Sequence, residues 1–489
     1  IYILFLNSDG TVKSSQEISS TEGNFYGDIE PHDAFGRSIS NIGDFDGDGV
    51  NDIAVGAYHD DDGGYNTGAV YILFLNSDGT VKSHQKISST EGNFHEDIES
   101  GDCWGNAVTG MGDLNGDGVN DIAVGAHSNY SPDRPDTRIG AVHVLFLNSD
   151  GTVKSSQEIS NSHGNLQTTI EEGDRFGISV SKIEDLNGDG VNDIAVGAMG
   201  DDDGGSTHGA VYILFLNSDG TVKSEQKISS TEGNFSGELD EGDLFGYGVN
   251  LIGDLNGDGV NDIVVGAYGD DDSKLYVPPS LGGEASSSKG AVYILFLNSD
   301  GTVKSEQKIS STEGNFSGEL DEGDLFGYGV NLIGDLNGDG VNDIVVGAYG
   351  DDDSKLYVPP SLGGEGSSSK GAVYILFLNS DGTVKFEQKI SEKYGDFNRQ
   401  LNDILQQNDV FGFSVSKIED LNGDGVNDIA VGAPYTDTNE ELQDTGAIHI
   451  LFLNSDGTVK SNNIFPKIQQ QTDDFVLIMM MMILSASIG

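Results

Sequence analysis

Six stretches of the chain have the residue types and spacing to hold a metal ion. The first reads DFDGDGVND from Asp44 to Asp52 and puts carboxylates at its positions 1, 3, 5 and 9, with Gly49 at position 6. A hard cation such as Ca²⁺ takes six to eight oxygens at roughly 2.3–2.6 Å. Alternate side chains converge on one point if the chain curls, and glycine permits the sharp turn. The predicted ligands of the first loop are therefore Asp44, Asp46, Asp48, the Val50 carbonyl and Asp52. The later copies replace the second aspartate by asparagine, still an oxygen donor. They give Asp113, Asn115, Asp117, Val119 and Asp121; Asp185, Asn187, Asp189, Val191 and Asp193; and Asp254, Asn256, Asp258, Val260 and Asp262. The last two sets are Asp335, Asn337, Asp339, Val341 and Asp343; and Asp420, Asn422, Asp424, Val426 and Asp428.

An EF-hand opens similarly but needs a glutamate at position 12 and flanking helices. Position 12 is Val55, within a predicted strand, so that reading fails. A metal-free polar turn competes for any single copy, whereas six copies in register favour the ion. Several protein oxygens in a flexible loop suit Ca²⁺ better than Mg²⁺. About six structural calcium ions are expected, each pinning two strands together.

A second acidic element follows each of four strands: Asp60–Asp62, Asp201–Asp203, Asp270–Asp272 and Asp351–Asp353. A strand of about six residues rises about 3.3 Å per residue, which puts the triplets roughly 20 Å from the first loops. They belong on the opposite face. The preferred reading makes them solvated turns that keep a repetitive β-protein soluble. The competing one makes them divalent-bridged contacts to a partner. The insert Ser273–Gly290 and its twin lengthen the same face as candidate recognition loops.

The elements that must position these loops recur every 69 to 85 residues. Each unit offers a glycine-led first strand (Phe35–Ser40), a second (Asp52–Ala57), a third (Gly68–Leu75) and a more polar fourth (Thr80–Ser88). The turn Asn76–Gly79 joins the last two as a hairpin. Residues 224–304 recur as 305–385 with the single change Ala285 to Gly366, a recent duplication. The third strand is apolar on consecutive residues and must be covered on both faces, whereas the fourth reads as an edge. Four antiparallel strands per unit, covered by neighbours on both sides, describe the blade of a β-propeller. The expectation is an all-β propeller of four-stranded antiparallel blades over residues 1–465, with six complete repeats and a six- or seven-bladed ring. Residues 466–489 form an irregular tail, expected to be truncated or frameshifted. Its apolar run, Phe475–Leu484, is about half of the roughly 20 residues a membrane helix needs.

With 24 Lys and Arg against 81 Asp and Glu, the net charge of −57 excludes nucleic acid and anionic membranes as partners. An apolar fraction of 36% in regular runs argues against disorder despite that acidity. Cys103 is the only cysteine, so no intrachain disulfide forms and a bound metal is the natural staple.

The recurring order Phe-Gly, DLNGDGVND, Gly-Ala and GAVYILFL resembles the FG-GAP repeat of the integrin α-subunit propeller, from Ile1 to about Phe465. The resemblance implies Ca²⁺ at the acidic loops, which join the first and second strands of each blade. It also implies partner binding on the opposite face. The family's terminal proline appears only at Pro434, and Cys103-Trp104-Gly105 replaces Phe-Gly in the second unit. Neither change touches the metal residues. The implied protein is an extracellular or cell-surface, calcium-binding, non-enzymatic adhesion module whose ligand is a protein or polysaccharide. Two alternatives are an accessory propeller of a secreted hydrolase, like the phospholipase D that cleaves glycolipid anchors, and a lectin. The nine histidines do not recur at equivalent positions in a catalytic spacing, although His143 and His449 share one strand position filled by tyrosine elsewhere. Asn129, Asn234 and Asn315 head glycosylation sequons.

Overall fold

In the computed structural model, residues 1–30, 32–96, 98–128, 130–131, 134–272, 288–353, 369–397, 405–436 and 446–466 are described. The inserts after Asp272 and Asp353, Asn129 and the tail beyond Pro466 lie outside them. The described residues contain strands and no helix, and so no helix long and apolar enough to cross a membrane.

The chain begins with a hairpin, β1 (Tyr2–Leu6) and β2 (Val12–Glu17). Six four-stranded antiparallel sheets follow. The first is β3 (Phe35–Gly43), β4 (Asp52–Ala57), β5 (Ala69–Leu75) and β6 (Val81–Ile87). The second is β7 (Trp104–Gly112), β8 (Asp121–Ala126), β11 (Ala141–Leu147) and β12 (Val153–Ile159), with the small ribbon β9 (Tyr130–Ser131) and β10 (Arg134–Arg138) inserted. The third is β13 (Ser179–Glu184), β14 (Asp193–Ala198), β15 (Ala210–Leu216) and β16 (Val222–Ile228). The fourth is β17 (Val249–Gly253), β18 (Asp262–Ala267), β19 (Ala291–Leu297) and β20 (Val303–Ile309). The fifth is β21 (Val330–Gly334), β22 (Asp343–Ala348), β23 (Ala372–Leu378) and β24 (Val384–Ile390). The sixth is β25 (Ser414–Ile418), β26 (Asp428–Ala433), β27 (Ala447–Leu453) and β28 (Val459–Pro466). These are the six blades of a β-propeller, with the hairpin wedged between the last and the first.

Burial follows the sequence pattern. All seven residues of β5, β11, β15, β19, β23 and β27 are buried, as a strand sandwiched between neighbouring blades must be. The fourth strands carry exposed residues after their first position, such as Lys82 and Ser83 in β6, as edges do. Five of the apolar clusters join side chains of two adjacent blades, and two join the hairpin to the first and to the sixth blade. One unites Met111 and Val142 of the second blade with Ile194 and Tyr212 of the third.

Two glycines set the blade spacing. A Cβ on Gly56 would sit 2.0 Å from the carbonyl oxygen of Gly105 in the next blade, so the Gly-Ala motif exists for close approach. Gly105 itself has φ +92°, a conformation that side chains disfavour. The Phe-Gly and Gly-Ala motifs are thus two sides of one contact. His143 and His449 are buried among aromatic rings, edge-on to Trp104 at 6.3 Å and to Phe411 at 5.0 Å, which confirms a packing role. Cys103 is buried and free.

Candidate metal loops and the face opposite

The acidic loops connect the first and second strands of each blade, all on one face of the ring. In the first loop the chain curls around Asp44. Its Oδ1 accepts from the Asp48 N–H at 2.9 Å and its Oδ2 from the Gly49 N–H at 2.9 Å. Asp48 in turn accepts from the Val50 N–H at 2.9 Å. Gly47 and Gly49 hold φ of +77° and +90°, which lets three side chains fan over one point. Oxygens of Asp44, Asp46 and Asp48, all exposed, lie within 4.8 Å of one another. The same curl recurs around Asp113, Asp185, Asp254, Asp335 and Asp420, each accepting from the two corresponding backbone N–H groups.

The ninth residue behaves differently. Asp52 is buried at the base of the loop, where it accepts from the Phe45 N–H at 3.0 Å and the Leu75 N–H at 2.8 Å. It ties the loop to the third strand. Its counterparts repeat both bonds. Burial, with the loop's other carboxylates adding, pushes Asp121 and Asp262 up to about 6 and Asp193, Asp343 and Asp428 up to about 7. Each loop thus sets a costly buried carboxyl beneath a cluster of exposed acidic oxygens, an arrangement that a cation relieves.

The eighth residue clamps the loop to the preceding blade. Asn120, Asn192, Asn342 and Asn427 donate to carbonyls of Ile42, Met111, Ile252 and Ile333 at 2.6–2.9 Å. A lysine near the start of each fourth strand reaches the fifth residue. Lys82 meets Asp48 at 2.7 Å and Asp46 at 2.7 Å, and Lys154, Lys223, Lys304, Lys385 and Lys460 repeat the contact to Asp117, Asp189, Asp258, Asp339 and Asp424. These pairs are solvated.

The acidic triplets do lie at the other end of the second strands, but they are not solvated turns. Asp60, Asp201, Asp270 and Asp351 are buried. A second lysine, four residues along the fourth strand, bridges the first and third aspartates. Lys86 meets Asp60 at 2.8 Å and Asp62 at 2.7 Å, and Lys227 meets Asp201 at 2.7 Å and Asp203 at 2.8 Å. Lys389 bridges Asp351 at 2.7 Å and Asp353 at 3.1 Å. Lys308 meets Asp270 at 2.6 Å. An ammonium therefore holds the place that the competing reading gave to a divalent ion. The middle aspartates Asp61 and Asp202 accept backbone N–H bonds from Asn66 and Thr207. The sequence contained the signal. The second and sixth blades lack a triplet, and there the bridging lysine is replaced by Glu158 and Ile464.

What the same face presents instead is aromatic. The first strands line a central channel of about 340 Å³. At its triplet-side mouth the residues after Phe-Gly and after Gly-Ala meet. The rings of Tyr247 and Tyr328 lie 4.6 Å apart, tilted by 37°, and share a 2.6 Å hydroxyl hydrogen bond. Tyr268 and Tyr349 pack edge-on to them, and Phe413 lies 4.8 Å from Tyr328. Across the mouth Arg37 lies over Tyr58 at 5.7 Å and donates to Asn106 at 3.1 Å. Sequence reasoning passed over these residues, although the position after Phe-Gly is aromatic in three successive repeats.

Propeller, acidic loops and their glycines define the class, and the comparisons agree. The FG-GAP repeat model matches residues 35–73, 105–145, 176–214, 326–376 and 411–451. The repeat model thus matches five of the six blades, all but the fourth, and the chain is similar to integrin α subunits. It is 34% identical over 216 residues to integrin alpha-PS5 of Drosophila melanogaster, covering 43% of this chain and 18% of that protein. It is 34% identical over 203 residues to integrin alpha-3 of Cricetulus griseus, covering 42% and 17%. With integrin alpha-5 of Xenopus laevis it shares 31% over 276 residues, covering 56% and 21%. The matched region spans about a fifth of the length of these relatives.

Proposed function

We propose that the protein is an extracellular or cell-surface, non-enzymatic binding module whose blades are pinned by about six calcium ions. The carrying observation is the loop that curls identically six times around its first aspartate, with Asp44, Asp46 and Asp48 brought within 4.8 Å in the first copy. The ligands are the first, third and fifth side chains of each loop, with the carbonyl of the seventh residue and the ninth aspartate at the base. Calcium there supplies charge neutralisation and cross-links strands, and near-millimolar extracellular levels suit weak sites of this kind.

The partner, a protein or polysaccharide, docks on the face opposite the loops. The likeness to integrin α subunits supports adhesion, and the aromatic mouth supplies the contact chemistry: large, half-buried rings with polar tips on a rigid scaffold. The acidic triplets are discharged by their lysines and fall out of the contact set. A glycan array and a matrix-protein array, probed with calcium-loaded protein and its Tyr328→Ala variant, test this. Binding lost in the variant at unchanged melting temperature supports the mouth. Binding retained there but lost on substitution of exposed triplet residues would overturn it.

A further inference from the structure

The channel mouth has two unlike halves. At the position after Phe-Gly, the fourth, fifth and sixth blades carry Tyr247, Tyr328 and Phe413, whereas the first carries Arg37. The second blade puts His127 where the fourth and fifth put tyrosines after Gly-Ala, and the third opens with Arg175 before Phe176. The chain has five arginines, Arg37, Arg134, Arg138, Arg175 and Arg399, so two of five come to this mouth.

In so acidic a chain, cations usually hold carboxylates. Lys82, Lys86 and Lys227 each hold two within 2.8 Å. Arg37 and Arg175 hold none among the described residues. Arg37 donates its Nε to Asn106 at 3.1 Å and lies over the Tyr58 ring at 5.7 Å, and no other bond engages its two Nη groups. Arg175 is exposed, and its side chain makes neither ion pair nor hydrogen bond among the described residues. Beside it the Gly173 N–H donates to the Arg138 carbonyl at 2.9 Å, which ties this corner to the second blade.

The local field is positive. His127 is pushed down to about 4 by burial, with Arg175, Arg37 and Arg138 adding, and its buried Nδ1 has no hydrogen-bond partner. Arg175 also opposes the burial that pushes the Tyr268 hydroxyl up to about 12, and Arg37 opposes the burial that raises Tyr58 and Tyr328. The two guanidiniums thus act on the imidazole and on the tyrosines alike. An anion in the mouth would relieve them.

Guanidinium groups take carboxylates bidentately. The net charge of −57 repels a polyanion, which leaves a single carboxylate on a neutral body. The walls describe that body. Half-buried tyrosine rings offer apolar surface with polar tips. Deeper in the channel Asn250 and Asn331 donate to the carbonyls of Val330 and Val415 at 2.8 and 3.5 Å, and their Oδ1 atoms accept nothing among the described residues. Those acceptors call for hydroxyl donors, which an acidic protein side chain lacks and a sugar has. The channel, about 340 Å³, is at the small end of ligand pockets of roughly 300–1,000 Å³ and suits one residue rather than a polymer.

We propose that the mouth is a subsite for one acidic sugar residue, a uronate-type carboxylate at the end of an otherwise neutral glycan. Arg37 and Arg175 take the carboxylate, the tyrosines of the fourth and fifth blades take the apolar face of the sugar, and Asn250 and Asn331 take its hydroxyls. This rests on the reading that the partner docks on this face, and it names that partner's chemistry.

Ligand-observed NMR titration of the calcium-loaded chain with sodium glucuronate, glucose, acetate and an N-acetylaspartate amide tests this. Glucuronate should bind at least about tenfold tighter than the other three, and Arg37→Gln and Arg175→Gln should each weaken it about tenfold. Added salt should weaken it too. Arg175 is exposed, so its variant keeps the melting temperature even if Arg37→Gln disturbs the Asn106 contact. Equal binding of glucuronate and glucose, or glucuronate binding unchanged in Arg175→Gln, would overturn the proposal. Acetate or the aspartate amide binding as tightly as glucuronate would overturn the sugar and mean an acidic protein side chain. If glucuronate fails while array binding is still lost in Tyr328→Ala, the sugar assignment falls and the docking face stands. Array binding indifferent to both Tyr328 and Arg175 would sink both.

Discussion

The two faces of the ring carry nearly the same acidic residues and treat them in opposite ways. On one face Asp44, Asp46 and Asp48 stand exposed around a common point, and the lysine that reaches them is itself half in solvent. On the other, Asp201 and Asp203 are closed over by Lys227, whose side chain is only 6% exposed. Lys223 and Lys227 lie four residues apart on one face of one strand, and each serves one end of it. The difference teaches that charge composition does not separate an ion-binding loop from an internally neutralised one. Burial and the partner's tether separate them. An exposed pair yields readily to a competing ion, whereas a buried one cannot lose a member without stranding the other.

The largest expected effect comes from removing calcium. Each site held at about 100 times its dissociation constant adds about 2.7 kcal/mol. Six sites together should therefore lower the melting temperature by well over ten degrees on chelation, read by differential scanning calorimetry. The next is Lys227→Ala, which leaves two aspartates facing each other with no cation. It should cost about 3–5 kcal/mol by denaturant unfolding, while Lys223→Ala leaves the melting temperature unchanged. Equal losses in the two variants would erase the distinction between the faces. A single-loop change, Asp185→Ala, should remove one ion's share, about 2.7 kcal/mol at the same saturation, on top of the smaller loss, about 1 kcal/mol, that its two backbone hydrogen bonds leave visible in chelator.

The smallest effect is a pH dependence. Burial, with Asp201, Asp270 and Asp351 nearby, pushes Asp174 up to about 7 and Asp243 and Asp324 up to about 8. Their folded values lie above the unfolded ones, so the native state binds more protons. Stability then falls as pH rises through these values. In chelator the melting temperature should drop by a few degrees between pH 6 and 9, and less so in Asp174→Asn. A rise over that interval would contradict the assignment.

Much of the architecture was legible in the sequence because one physical requirement wrote each motif. Gly56 and Gly105 are glycines because two backbones touch, and AVYILFL is apolar throughout because it is buried on both sides. The second strand Asp52–Ala57 is found with the expected bounds, since an acidic loop and a glycine punctuate it. First strands such as β13 begin later than the Phe-Gly motif suggests, because Phe176 bridges to the neighbouring blade before pairing within its own. The triplets misled because an aspartate run reads as solvated until its lysine is found one strand away. Glu158 and Ile464, where triplet and lysine are lost together, held that information. The aromatic mouth escaped notice since Tyr247, Tyr268, Tyr328 and Tyr349 come from separate strands and meet only when the ring forms.

The most direct test of the contrast between the faces is a count of bound calcium, by titration calorimetry on chelator-stripped protein with native mass spectrometry on the product. The account predicts about six ions, one fewer in Asp185→Ala, and no change in Asp203→Asn. More than six ions, or an ion lost with Asp203, would place metal on the lysine-closed face and contradict it.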